Sequence, residues 1–294
     1  MAIASASSRR SSGRTDSLVL ATSSRFTGTT TAQGCACEVT SGILAIVPQR
    51  LRLGFWYRLA VVVVKPLMRM FTTRNWRGVE NIPRDGGIIV VANHVSEVDP
   101  LMVADFLLHA ARRPPRFLAK KELFRKAPLK WVLHGAQQIP VDRGSGDAAR
   151  ALSAAVEALH RGECIFIYPE GSATRDPALW PMKSRTGAAR LALLSGAPVI
   201  PLAQWGPQRV LAYKARKPHL LPRTEISVLA GPPVDLSAYV GKPVTAQLLR
   251  DATTTIMRSV AALLEQLREE QAPEDFYDAE AAMTKTATVQ QEGA

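Results

Sequence analysis

The stretch Asn93-His94-Val95-Ser96-Glu97-Val98-Asp99-Pro100 holds residue types at a spacing that can do chemistry. An imidazole can take a proton from a hydroxyl near neutral pH, and a carboxylate five residues on can hold its other ring nitrogen. His94 and Asp99 therefore make an intelligible general-base dyad. Further along, Lys120-Lys121, Asp142-Arg143 and Glu170-Gly171-Ser172, with Arg175 beyond, add cations and another carboxylate. A base, its orienting carboxylate and a cluster of cations suit transfer onto the hydroxyl of a phosphate-bearing acceptor. Plainer readings stand beside these. Asp-Pro opens helices whatever the function, Lys120-Lys121 can be a solvated pair, Arg143 can pair with Asp142 or Asp147, and Pro169-Glu170-Gly171 can be an ordinary turn.

Bringing these residues together requires strand ends. Residues 86–92, a β-branched apolar run opened by glycines, predict a buried strand that ends at the dyad. Residues 101–109 carry apolar side chains at helical spacing, with Asp99 expected as N-cap and Pro100 as the first helical residue. In open α/β sheets such a loop is where ligands bind. Residues 116–119 predict a strand ending at Lys120, 136–141 one running into Arg143, and 164–168 one feeding Glu170. Further strands are expected over 198–203 and 225–230, and helices over 147–161, 184–194 and 244–270. The alternation gives an α/β class, with a mixed, largely parallel sheet flanked by helices.

The chain has 294 residues, 47% of them hydrophobic and 21% charged, which is ordinary for a globular protein. Its formal charge of +12 is not, and points to nucleic acid, anionic lipid or phosphorylated substrates. Nucleic acid is set aside, because the basic residues sit among aliphatics and strand ends without an RNA-reading aromatic pattern. Cys35 and Cys37 lack partners at metal-ligand spacing and Cys164 lies in an apolar strand, so neither zinc nor disulfides are expected and a reduced cytosolic setting fits. No apolar run reaches the ~18 residues of a spanning helix.

Four segments follow. Residues 1–42, rich in Ser, Thr, Ala and Gly, read as an extension that resembles a transit peptide, or as a dispensable or mis-assigned start. Residues 43–73 read as an amphipathic basic helix, with Arg58, Lys65 and Arg69 on one face and no acid between residues 50 and 77. That pattern suits a helix lying on anionic lipid; a core helix with a solvated basic edge, broken at Pro66, is the alternative. Residues 74–271 form the α/β domain, and 272–294 a polar, flexible tail.

The motifs together resemble the 1-acyl-sn-glycerol-3-phosphate acyltransferases, within the wider glycerolipid acyltransferases. Asn93-His94 to Asp99 looks like that family's N-H-x4-D motif, and Tyr168-Pro169-Glu170-Gly171 resembles its F-P-E-G-T-R block. Lys120 to Leu123, then Pro128, Gly135 and Ile139 to Arg143, are similar to the intervening block, and Val199 to Ala203 to the last. The resemblance covers roughly residues 76–232. It implies that His94 deprotonates the sn-2 hydroxyl of a lysophosphatidic acid while Asp99 fixes the imidazole tautomer. The hydroxyl would then attack the thioester of acyl-CoA or acyl-carrier protein directly, with no other cofactor and no metal. Arg143 would bind the acceptor phosphate, Asn93, Glu170 and Gly171 would shape the acceptor site, and Lys120 would help hold the thioester oxyanion or the donor. The place would be the cytoplasmic face of a membrane, in a peripheral or monotopic protein. One departure stands out: Ser172-Ala173-Thr174 separates Gly171 from Arg175, where the family block has a shorter spacing. Ser172 or Thr174 would take the threonine's part, Arg175 would reach from a longer loop, and Lys183 would add a phosphate contact. The altered spacing leaves another lysophospholipid or a glycolipid open as acceptor.

Overall fold

The computed structural model describes residues 54–141, 147–279 and 281–282. It begins with α1 (Phe55–Phe71) and strand β1 (Thr72–Arg77), followed by β2 (Ile88–Ala92) and α2 (Asp99–Asp105), which runs on into a π-helical turn, Phe106–Ala110. Next come β3 (Pro115–Lys120), α3 (Leu129–Gly135), β4 (Ile139–Val141), α4 (Asp147–His160) and β5 (Cys164–Ile167). The chain continues through α5 (Gly187–Ser195), β6 (Val199–Trp205), α6 (Pro207–Val210), β7 (Thr224–Ala230) and α7 (Ala246–Arg268).

Seven strands form one sheet in the order β1-β7-β6-β2-β5-β3-β4. β6, β2, β5, β3 and β4 run parallel, while β7 lies antiparallel to β6 and carries β1 parallel to itself. The sheet is thus mixed and mostly parallel, as the alternation of elements predicted. The apolar run of β2 is buried along its whole length, because a strand covered on both faces has no solvated side. Ile89 and Val91 pack toward α4, α5 and α7 with Ile165, Ala155, Leu191 and Ile256. Ile88, Val90 and Ala92 pack on the other side with Phe166, Met102, Phe106 and Ile200. Cys164 is buried in the second of these clusters.

Several boundaries differ from expectation. α1 ends at Phe71 and the next six residues form an edge strand, whereas the helical reading ran through residue 73. Pro66 lies inside α1 on its exposed side and does not end it. The strand expected over 136–141 is confined to Ile139–Val141, since α3 and its turn occupy the preceding residues and Gln137 adopts a left-handed φ of 52°. Residues 184–186 stay outside α5 because Arg185 N donates to Pro169 O at 3.0 Å. Beyond Ala272 the chain packs back on the molecule. Lys183 N donates to Tyr277 O at 2.9 Å, and Arg258 Nη1 to Pro273 O at 2.7 Å. Residues 1–53, including the start of the basic helical segment, lie outside the described residues, as does Arg143.

Candidate active site

The central strand β2 delivers the dyad, and Asn93 fixes where that strand ends. Its Nδ2 donates to Gln204 O at 3.0 Å, its Oδ1 accepts from Gln204 N at 2.9 Å, and Gln204 Nε2 donates to Asn93 O at 2.8 Å. Asn93 and Gln204 are both buried. Asn93, expected to contact substrate, is therefore fully engaged in clamping the ends of β2 and β6.

His94 follows, with Nδ1 2.8 Å from Asp99 Oδ2. The same oxygen accepts from Val95 N at 2.7 Å and Ser96 N at 2.9 Å. Asp99 is not the N-cap: Val98 holds that position, and Asp99 is the first helical residue with its carboxylate turned back on the loop. Because Oδ2 already serves backbone donors as an acceptor, the hydrogen of His94 belongs on Nδ1, which leaves Nε2 as the acceptor. Asp99 is wholly buried, and burial pushes its pKa up while the hydrogen bonds from His94, Ser96 and Val95 oppose that rise. The His94 side chain retains 15% exposure, so the ring is held yet reachable. Tyr168 stacks on it with centroids 4.2 Å apart and planes 21° from parallel.

The turn after β5 supports the same loop. Glu170 Oε1 accepts from His94 N at 2.8 Å and Oε2 from Met182 N at 3.0 Å. Glu170 is buried, and desolvation raises its pKa to about 8 against the pull of those two donors, with the charges of Asp99 and Asp176 adding to the rise. Thr174 N donates to His94 O at 2.7 Å and Thr174 Oγ1 to Trp180 O at 2.7 Å, so Thr174, rather than Ser172, reaches the dyad's loop. Gly171 turns the chain with φ 78° and donates to Tyr168 O at 3.0 Å. Ser172 is half-buried and Arg175 is exposed.

His94, Asp99, Asn93 and Glu170 thus come together in one hydrogen-bonded loop cluster. Lys120 sits exposed at the carboxyl end of β3, on the same edge of the sheet but two strands from β2. Lys183 pairs with Asp278 at 2.9 Å on the surface, which departs from its expected use as a phosphate contact. Sequence reasoning missed Gln204, and it placed Tyr168 in its motif without the contact to His94. A polar residue ending the apolar run of β6 was a usable signal for Gln204; the stacking of Tyr168 on His94 has no local signature. Among the described residues no group of three or more His, Cys, Asp or Glu is placed to hold a metal ion.

A mixed, mostly parallel sheet whose central strand ends in a His–Asp dyad makes an α/β domain with a general-base site at the strand ends. Residues 73–205 match the model of the Acyltransferase family. The chain is similar to the 1-acyl-sn-glycerol-3-phosphate acyltransferase of Bacillus subtilis, 30% identical over 131 residues, 44% of this chain and 60% of that one. It is also similar to the lyso-ornithine lipid O-acyltransferase of Pseudomonas aeruginosa, 38% identical over 115 residues, 38% of this chain and 41% of that one. The crystal structure of the 1-acyl-sn-glycerophosphate acyltransferase PlsC from Thermotoga maritima shares the fold. Its TM-score is 0.53 at 24% identity, covering 74% of this chain and 81% of that one. The chain spans about half the length of the curated relatives it matches.

Proposed function

We propose that this protein transfers a fatty acyl group from a thioester, acyl-CoA or acyl-carrier protein, to the sn-2 hydroxyl of 1-acyl-sn-glycerol-3-phosphate, giving phosphatidic acid. The observation that carries the reading is the His94–Asp99 contact of 2.8 Å at the carboxyl end of the central parallel strand. With Nδ1 held by Asp99, His94 Nε2 accepts the acceptor's hydroxyl proton as its oxygen attacks the thioester carbonyl. The tetrahedral intermediate collapses with loss of the thiolate, which takes the proton back from His94. One C–O bond forms, one C–S bond breaks, and the base is regenerated. Asp99 stabilises the transient imidazolium, and Asn93, Glu170, Gly171 and Thr174 hold the loop in place. Lys120 serves the donor or the oxyanion, and Arg143, Ser172 and Arg175 serve the acceptor, in this reading.

The reaction would take place on an anionic membrane surface at the cytoplasmic face. Supporting this, α1 leaves Phe55, Val62 and Val63 more than half exposed at 71%, 69% and 59%, with Arg58 and Arg69 also exposed. Among the described residues no helix is long and apolar enough to cross a membrane.

Mass-spectrometric assay of the full chain with mixed thioesters and mixed lyso-acceptors tests the reading. Phosphatidic acid is the expected product, and His94→Ala is expected to lower the rate by ~10²–10⁴ or more. Full turnover in His94→Ala would sink the mechanism. A second acceptor class, another lysophospholipid or an aminolipid, is favoured by two observations: the similarity to a lyso-ornithine lipid O-acyltransferase and the lengthened spacing between Gly171 and Arg175. Indifference of the rate to the acceptor phosphate would select it.

A further inference from the structure

Arg268, the last residue of α7, is a cation that the general-base chemistry does not use. A cation at the carboxyl end of a helix is favoured by the helix dipole, and a solvated arginine would serve that purpose. This one is taken out of water. Its side chain is 7% exposed, and its guanidinium carbon lies 4.1 Å from the ring centroid of Trp180 and 4.5 Å from that of Trp205. Its Nε is buried without a hydrogen-bond partner among the described residues, while the more exposed Glu270 meets Nη2. Desolvating a guanidinium is costly, and two indole rings offset that cost only while they keep their places beside it.

Each ring is one step from a group that braces the dyad. Trp180 O accepts from Thr174 Oγ1 at 2.7 Å, and Thr174 N donates to His94 O at 2.7 Å. Trp205 directly follows Gln204, whose hydrogen bonds hold Asn93, the residue before His94. Trp180 lies in the loop 171–182, which includes the lengthened spacing between Gly171 and Arg175. In that loop Leu179 takes a left-handed φ of 62°, which a leucine adopts only where its surroundings impose it. Arg268 Nη1 supplies one such contact, donating to Ala178 O at 2.8 Å.

We propose that Arg268 is a positioning residue for His94, joining the loop after β5 to the end of β6 so that Thr174 and Asn93 keep the imidazole against Asp99. It acts through Trp180 and Trp205 and not on the reacting atoms. Its effect on a rate rests on the acyl-transfer reading; its hold on the imidazole does not.

Arg268→Met keeps the apolar stem and removes the charge and the donors. In acyl-transfer assays of the full chain it is expected to lower kcat ~10- to 10²-fold with the thioester KM unchanged, because a small misplacement of a base costs that much. Arg268→Lys, which restores a cation beside the rings, should recover part of the rate. A second readout needs no turnover: the Nδ1–H proton signal of His94 in NMR spectra of the histidine-labelled chain. It is expected in the wild type and in Arg268→Lys, and broadened or lost in Arg268→Met. Trp205→Leu, which removes one ring, should lose the signal as well, and stands in for Arg268→Met should that variant not fold. Leu249→Ala, a buried change in the first turn of α7, controls for lost stability and should keep both kcat and the signal. An unchanged His94 signal in Arg268→Met would overturn the proposal, as would an unchanged kcat in an active enzyme or equal losses in Leu249→Ala. A signal that follows Arg268 in a chain transferring no acyl group would uphold the positioning role and refute the acyl-transfer reading. Acyl transfer with rate and signal indifferent to Arg268 would do the reverse.

Discussion

His94 differs from any other loop imidazole because one oxygen of Asp99 meets both its Nδ1 and two backbone N–H groups. Replacing Asp99 by Asn puts an amide where three donors converge, so the ring loses its orientation and its counter-charge. Asp99→Asn is expected to lower kcat by ~10²–10⁴ with little change in KM, in steady-state assays of acyl transfer; a rate near that of the wild type would exclude the dyad. Glu170 predicts a pH dependence of stability. Its folded pKa of about 8 lies above the ordinary 4.5, so the folded chain holds this proton more tightly than the unfolded chain does. The resulting stabilisation is complete below pH 4.5 and is lost as pH rises to about 8. Its size is on the order of a few kcal/mol. Glu170→Gln cannot ionise and leaves one of two N–H donors without an acceptor, a pH-independent cost of ~1–3 kcal/mol. Denaturant unfolding across that window should show the wild type losing stability that Glu170→Gln keeps; parallel curves would refute the assignment.

At the scale of elements, α1 is the part whose sequence and surroundings disagree unless something apolar covers it. Tyr57, Val61, Val64 and Met68 face inward over a small cavity of about 110 Å³ shared with Leu101 and Leu108. The opposite side, Phe55, Leu59, Val62, Val63, Leu67 and Met70, is exposed. Trp56 stacks on Trp131 of α3 at 5.3 Å, and both rings are partly exposed, which extends the apolar surface onto a second helix. Val62→Glu with Val63→Glu touches no inward residue and adds two charges to the exposed face. Co-sedimentation with vesicles containing phosphatidylglycerol is expected to fall at least tenfold, with the unfolding midpoint unchanged. Undiminished vesicle binding would mean that another surface meets the lipid.

Over the whole molecule, the site exists because two packed layers hold β2 between them. Gly87, at the entry to β2, touches α4: a Cβ there would lie 2.2 Å from Leu159 O, with no flexible side chain to give way. Gly87→Ala therefore has to separate a helix from the central strand. Chemical denaturation is expected to show a loss of ~3 kcal/mol or more, comparable to severe core substitutions. A loss within the range of ordinary surface changes would mean that the layers are not in register there. The parallel strands also explain how positions far apart in sequence serve one edge. β2, β3, β4 and β5 all end on it, which is how the dyad after β2 and Glu170 after β5 meet in one loop cluster.

Apart from α3 and α6, the order of strands and helices from β2 to α7, the buried character of β2 and the His94–Asp99 pairing were legible in the sequence, because each depends on side-chain period or on neighbours a few residues apart. The resemblance of four ordered motifs to an acyltransferase family was legible for the same reason. What the sequence left open were contacts across the sheet. Asn93 with Gln204 spans 111 positions, and His94 with Glu170 spans 76. β1, α3 and the packing of residues 273–278 were equally silent, since their residues carry no strong period of their own and are held by what they touch. Tertiary structure alone decided that Asn93, Glu170 and Thr174 brace the loop. A buried amide or carboxylate takes its role from whichever backbone groups the fold brings within hydrogen-bond reach, and that is fixed by strand pairing over long separations.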